Sequence, residues 1–116
     1  MRSYLIAIHE LSLQTKNQHV STGRLASLLG VTPGTVTSMV KHLRNAGLVE
    51  YQPYRGVEFT AEGKRIAGKF AKRRDLLKQF FIETLKLPQD HAHQEASRLE
   101  SFASDRLISH IEKRAN

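Results

Sequence analysis

Leu25-Ala26-Ser27-Leu28-Leu29-Gly30-Val31-Thr32-Pro33-Gly34-Thr35-Val36-Thr37-Ser38-Met39-Val40 is the stretch that decides the fold. Leu25, Leu28 and Leu29 make one apolar face of a short helix that Ser21 can N-cap. Gly30 stops it, because glycine tolerates the left-handed conformation of a C-terminal cap. Thr32 then stands as an N-cap and Pro33 as the first helical residue, where its missing N–H takes nothing from the helix. Val36, Met39, Val40 and Leu43 form the buried stripe of this second helix, and Gly34, Thr35, Thr37, Ser38, Lys41 and His42 are left for other faces. Asn45-Ala46-Gly47 ends it. Two helices that meet at the tight corner Leu29-Gly30-Val31-Thr32 make a helix-turn-helix.

Working outward toward the amino terminus, Tyr4, Leu5, Ile8 and Leu11 recur at helical spacing and predict a first helix over about 3–16, broken by Thr15-Lys16-Asn17-Gln18-His19. After Gly47 the period switches from helical to alternating. Leu48-Val49-Glu50-Tyr51 and Val57-Glu58-Phe59-Thr60 read as two short strands, joined by Gln52-Pro53-Tyr54-Arg55-Gly56. Thr60 can cap a long helix over 61–84 with Glu62 in its first turn and a stripe of Ile66, Phe70, Leu77, Phe81 and Leu85. Lys86-Leu87-Pro88 ends it; a helix over 89–101 carries Ala92, Ala96 and Leu99, and Ser104 can cap a last one through Leu107, Ile108 and Ile111. The expected fold is mainly α: a winged helix-turn-helix followed by helices.

Composition excludes several functions. The 116 residues hold no cysteine, so there is no disulfide framework, thiolate zinc site or cysteine nucleophile. No apolar run spans a bilayer and the start lacks a signal peptide's apolar block, which makes the cytoplasm the expected address and leaves the membrane out as a partner. The net charge of +7 favours a polyanionic partner. Six Lys/Arg stand against three acids in residues 1–60, and twelve against eight in 61–116. Lys64, Arg65, Lys69, Lys72, Arg73, Arg74 and Lys78 concentrate the second excess, opposed only by Asp75; taken alone, such a run reads as a solvated helix face.

The second helix of the pair suits a DNA major groove, which admits one helix and exposes a distinct pattern for each base pair. Thr32, Pro33, Gly34, Thr35 and Ser38 keep its amino-terminal face small and polar, so it can approach base edges and phosphates. Lys41 and Arg44 lie further along, within reach of the backbone, and Arg55 beside Tyr54 at the hairpin tip can meet phosphate or enter the minor groove. A plainer reading stays open for each residue: Thr32 only caps, and Arg55 only solubilises a hairpin. The pattern as a whole points to a sequence-specific binder of double-stranded DNA that regulates transcription. Phe80, Phe81, Leu85, Leu99, Phe102, Leu107 and Ile111 are too many apolar side chains for three helices to hide in one small protomer, which points to a homodimer.

Three other classes compete. An enzyme is disfavoured: no phosphate loop, Ser–His–Asp set or nucleophile motif is present, and Glu95 and Glu100 have no cleft. A winged helix for protein–protein contact should show aromatics or leucines where this chain has Thr, Gly, Ser and Lys. Nonspecific binding of RNA or anionic lipid would use the basic helix over 64–78.

The chain resembles, from Tyr4 to about Ile111, the diphtheria toxin repressor family of metal-dependent bacterial regulators (the DtxR/MntR type). The resemblance is carried by the stretch quoted above with Gly47-Leu48-Val49, by Tyr54-Arg55-Gly56-Val57 and Phe59-Thr60-Ala61-Glu62-Gly63, by Arg73-Arg74-Asp75-Leu76-Leu77-Lys78-Gln79-Phe80, and by Glu95-Ala96-Ser97-Arg98-Leu99-Glu100. It implies a repressor linked to iron or manganese homeostasis, a homodimer on a palindromic operator, a DNA-binding domain over 1–62 and a dimerisation and vestigial metal-binding domain over 63–116. It also implies Fe²⁺ or Mn²⁺ as co-repressor, but the ligand positions are largely replaced. They fall on Ser3 and Ile6, on Arg74 and Lys78, and on His93, Ser97, Glu100 and Ser101, of which only His93 and Glu100 retain ligand chemistry. No cofactor is therefore assigned. Arg74, standing where the family has a histidine, can donate its fork of N–H groups to Glu100 in place of the ion; the alternative is a site simply lost. Asp90-His91-Ala92-His93 with Glu95 is a second metal candidate, weighed against an ordinary exposed helix start.

Overall fold

The computed structural model describes residues 1–115. The elements follow as α1 (Arg2–Ser12), α2 (Thr22–Leu29), α3 (Pro33–Asn45), β1 (Val49–Gln52), β2 (Gly56–Phe59), α4 (Ala61–Glu83), α5 (Gln89–Leu99) and α6 (Asp105–Ala115). They form two compact units, Met1–Gly68 and Lys69–Asn116, divided inside α4.

In the first unit, Leu5, Ile8, Val20, Leu25, Val36, Leu43, Val49 and Val57 make a sealed core. The first helix stops at Ser12, short of the expected 16. Past Leu11 no apolar residue extends the stripe, Leu13 is exposed, and the Ser12 hydroxyl donates to the His9 carbonyl at 2.8 Å. The chain then turns back, and Val20 exchanges two backbone hydrogen bonds with Val57 at 2.7 and 2.8 Å, which anchors the α1–α2 connection to β2.

The Ser21 hydroxyl caps α2 by accepting from the Arg24 N–H at 3.1 Å. Gly30 closes it at φ +66°, and the Val31 N–H returns to the Ala26 carbonyl. Its buried side centres on Leu25 and Ala26 with Leu29 partly covered, so Leu28, expected on the apolar face, falls on the flank and is half exposed. Val36, Val40 and Leu43 bury α3, and the Leu48 N–H reaches the Leu43 carbonyl across Gly47 at φ +78°.

The two strands are antiparallel, with Val49 opposite Phe59 and Gln52 opposite Gly56. They sit one residue off the expected 48–51 and 57–60, because both outer positions serve helix ends. Leu48 closes α3. Thr60 caps α4, accepting from the Gly63 N–H at 3.1 Å and donating to the Gly47 carbonyl at 2.7 Å. The loop shrinks to Pro53-Tyr54-Arg55, with Tyr54 left-handed at φ +70°. Glu50 faces Glu58 across the strands, and the His19 ring nitrogen Nε2 lies 3.0 Å from the Glu58 carboxylate.

On the first turn of α4, Arg65 donates twice to the Glu62 carboxylate; this hydrogen bonding holds the Glu62 carboxyl below its ordinary range and the Arg65 guanidinium above its own. The second unit packs Leu77, Ala96, Ile108 and Ile111 with Leu76, Phe80, Phe81 and Ala103 around them. Of the stripe expected along α4 only Leu77 is buried; Ile66, Phe70 and Phe81 are half-buried, and Leu85 lies exposed beyond the helix. The buried positions are instead small or cationic: Gly63, Ala67, Ala71, Arg73 and Arg74. α5 ends at Leu99, not 101, with Glu100 as its C-cap, and the Ser104 hydroxyl caps α6 by accepting from the Leu107 N–H. Lys72 pairs with Glu112 at 2.8 Å across α4 and α6.

Candidate nucleic-acid interface

Every residue singled out for DNA contact is on the surface: Thr32, Pro33, Gly34, Thr35, Ser38, Lys41, Arg44 and Arg55 are all exposed. The cause is the tight apolar stripe of α3. With Val36, Val40 and Leu43 fixed inward, Gly34, Ser38 and Lys41 fall on the opposite side of the helix. The Thr32 hydroxyl oxygen accepts from the Thr35 N–H at 3.2 Å and lies 2.8 Å from the Thr35 hydroxyl. If Thr35 donates in that second contact, the Thr32 hydroxyl proton points outward, available to a phosphate at the helix N-terminus. The Thr37 hydroxyl bonds back to the Pro33 carbonyl at 3.0 Å, leaving its methyl and lone pairs at the surface.

At the hairpin tip Tyr54 is fully exposed, and the Arg55 guanidinium touches the Gln52 side-chain carbonyl at 3.4 Å, a weak tether on an exposed cation. The structure adds residues that the sequence reading did not single out. Thr22, Thr37 and Tyr51 line one shallow cleft with Val40, Lys41 and Arg44. Three hydroxyls and two cations around one depression suit a phosphate oxygen. The sequence signal was present only in part, as Thr22 stands at the N-terminus of α2 beside its Ser21 cap.

In the second unit the Arg73 guanidinium gathers the end of α5 and the start of α6. It donates to the backbone carbonyls of Glu100 (3.1 Å) and Ala103 and to the Asp105 carboxylate, and its Nε lies 3.5 Å from the Glu100 carboxylate. Arg73, which the sequence reading did not single out, thus meets Glu100 beside Arg74; both arginines and Glu100 are buried, and Arg74 and Glu100 each make a further interaction. His93 is exposed on α5, and Lys78 is half-buried. Around His91, Glu95 accepts from Arg98 at 3.3 Å and lies 3.8 Å from the His91 ring. Among the described residues no group of three or more His, Cys, Asp or Glu side chains converges as a metal ion needs.

A divalent co-repressor does not fit this donor set. Ser3 and Ile6 bring no charge to the first-helix positions, Ile6 brings no donor atom, and the retained carboxylate already faces a buried guanidinium. Unit charges about 4 Å apart repel by ~4 kcal/mol at an effective dielectric near 20, and a divalent ion doubles that.

The apolar residues expected at a two-fold contact divide in two. Ile111 is buried in the protomer's own core and Phe80 and Phe81 pack against it, edge to face at 6.0 Å between centroids. Leu85, Leu99, Phe102 and Leu107 stay exposed, Phe102 at 84%.

Two family models match the chain: the N-terminal DNA-binding domain of iron-dependent repressors over residues 1–57, and their metal-binding and dimerisation domain over 60–116. An uncharacterised HTH-type transcriptional regulator of Methanocaldococcus jannaschii is 34% identical over 111 residues, 96% of this chain and 88% of that protein. The transcriptional regulator MntR of Escherichia coli is 33% identical over 84 residues, 72% of this chain and 54% of MntR. A solved manganese-dependent transcriptional repressor in complex with manganese superposes with a TM-score of 0.86 at 32% identity, over 97% of this chain and 51% of that one. The manganese regulator SloR gives 0.82 at 29% identity, over 99% and 53%. The chain thus spans about half the length of MntR and of these solved structures.

Proposed function

This chain belongs to the iron-dependent repressor (DtxR/MntR) family of transcriptional regulators, and we propose that it binds a palindromic operator in double-stranded DNA as a homodimer, with α3 in the major groove. One observation carries this reading: the exposed side of α3 bears small hydroxyl residues at its amino-terminal end and cations at its carboxyl-terminal end, and no bulky apolar group. Thr32, Gly34, Thr35 and Ser38 allow close approach to base edges. Lys41 and Arg44, with Thr22, Thr37 and Tyr51 around the same cleft, take the adjoining phosphates. Arg55 and Tyr54 at the wing tip reach the neighbouring groove. Leu85, Leu99, Phe102 and Leu107 supply the apolar contact between copies. The absence of a catalytic constellation in the sequence and the regulator family support binding without catalysis, and the cell's DNA makes the cytoplasm its place of action.

Selection from a random duplex pool, followed by fluorescence anisotropy on the enriched sequence, tests this. Ser38→Ala should lower affinity for the selected site by ~1–3 kcal/mol while leaving random duplex nearly unchanged. Equal loss on both, or no enrichment from the pool, refutes the assignment of base readers.

A further inference from the structure

We propose that the Arg73 guanidinium is a resident cation standing in for a divalent ion: it holds α4, the end of α5 and the start of α6 together, so the carboxyl-terminal unit folds and the regulator works without metal and without responding to it. This deepens the reading above, but two of its three tests need no DNA.

The argument begins with the oxygens. Glu100 is the C-cap of α5, so its carbonyl lies past the last intrahelical donor, and the Ala103 carbonyl belongs to the connection between α5 and α6. Asp105 opens α6. One carboxylate oxygen of Glu100, these two carbonyls and one carboxylate oxygen of Asp105 all face the same guanidinium. An all-oxygen set drawn from carboxylates and backbone carbonyls is what a hard divalent cation takes as ligands. Here its place is filled by a side chain.

Arginine is suited to that place. Its planar fork offers five N–H groups, stays charged at any physiological pH, and is more weakly hydrated than an ammonium, so burial is tolerated. It sits at the negative end of the α5 dipole, where a cation is favoured. Glu100 is 2% exposed and Arg73 8%, so their contact is interior, unlike the solvated Arg65–Glu62 pair, while the Asp105 carboxylate meets Arg73 from the surface. A covalently attached cation is always present; its occupancy cannot follow the metal content of the cell. The unit's order is thereby uncoupled from the signal that an exchangeable ion would carry.

The experiment uses the full chain, stripped with EDTA and dialysed, then offered Mn²⁺ or Co²⁺. Expected are no stoichiometric retention of either ion, a thermal midpoint within about one degree with and without Mn²⁺, and equal affinity for the selected duplex in EDTA and in Mn²⁺. Stoichiometric uptake, or a midpoint that climbs with Mn²⁺, overturns the proposal whether or not the protein binds DNA. Arg73→Ala should lower the midpoint by several degrees and, having opened an oxygen cage, should recover part of the loss in Mn²⁺ while the parent does not. An unchanged midpoint in Arg73→Ala, or the same Mn²⁺ response in variant and parent, also overturns it. Should Arg73→Ala not fold, Arg73→Lys keeps a charge but loses the fork; a midpoint equal to the parent's would show that the multiple contacts do not matter and refute the assignment.

Discussion

Two glycines of α4 that look alike in the sequence should answer the same substitution with opposite signs. Gly63 lies in the first turn, where a Cβ would stand 1.8 Å from the Leu48 carbonyl oxygen and 2.8 Å from its carbon. The neighbour is backbone, so no rotamer change relieves it, and the helix start must separate from the wing by more than about 1 Å. That movement strains two hydrogen bonds at the same joint: the Gly63 N–H to the Thr60 hydroxyl, and the Thr60 N–H to the Leu48 carbonyl, both 3.1 Å. Overpacking costs roughly 1–3 kcal/mol and each weakened bond roughly 0.5–1.5, against a gain of about 1 from replacing glycine by alanine in a helix. Gly63→Ala is therefore expected to destabilise by roughly 1–5 kcal/mol. Gly68, in the same helix, has nothing within 4 Å of its would-be Cβ, so Gly68→Ala should stabilise by ~0.5–1 kcal/mol. Urea unfolding followed by circular dichroism, at one fixed protein concentration, reads both. A Gly63→Ala protein as stable as the parent would refute the close approach of α4 to the wing.

Arg55→Ala should weaken binding to every duplex and lower the slope of log affinity against log salt by about one; an unchanged slope would place Arg55 off the phosphates. Thr32→Val should cost about 1 kcal/mol of stability through the lost cap, read by urea unfolding, and should also weaken DNA binding, because cap and proposed phosphate donor are one hydroxyl. Leu99→Ser with Phe102→Ser should shift sedimentation at micromolar concentration toward the monomer, since both side chains are exposed in the protomer; an unchanged distribution would place the contact elsewhere.

The helix-turn-helix was readable because its punctuation is local. Thr32 before Pro33, Ser21 three residues before Arg24, and glycines at 30 and 47 each specify a backbone conformation through their own covalent structure. The wing was legible as a hairpin with its strand bounds one residue too far from the loop, since Leu48 and Thr60 are apolar or β-branched and continue the strand pattern, yet their backbone groups belong to helix caps. What α4 buries was not legible. Periodicity pointed to Ile66, Phe70 and Leu85, whereas the structure turns inward Gly63, Ala67 and Ala71, small enough for close approach, and two arginines, of which Arg73 donates to carbonyls about thirty residues away. Nor did the sequence single out Arg73, whose guanidinium meets the Glu100 carboxylate and the carbonyls of Glu100 and Ala103: adjacent side chains point about 100° apart on a helix, and only the fold shows what each one reaches. The cleft of Thr22, Thr37 and Tyr51 escaped for a related reason, because it is assembled from three elements.

The two units differ in how much apolar surface they seal, and this connects the Arg73 contacts to the proposed dimer. Residues 1–68 enclose many large aliphatic side chains, eight of them fully buried. Among the described residues of 69–116, the buried cluster is Leu77, Ala96, Ile108 and Ile111, one of them an alanine, with Leu76, Phe80, Phe81 and Ala103 only partly covered around it. A unit of that size, near the lower limit for independent folding, gains too little from such a core to stand far above the entropy of ordering its chain. Other terms must add to it. Removing the guanidinium from a buried carboxylate costs roughly 3–5 kcal/mol, comparable with the whole margin of a small unit. Burying Leu99, Phe102 and Leu107 against a second copy adds ~1.5–3 kcal/mol per fully covered side chain. If both terms are required, weakening the dimer contact should make the Arg73 variants more fragile than either change alone, and melting curves of the double variants measure that coupling directly.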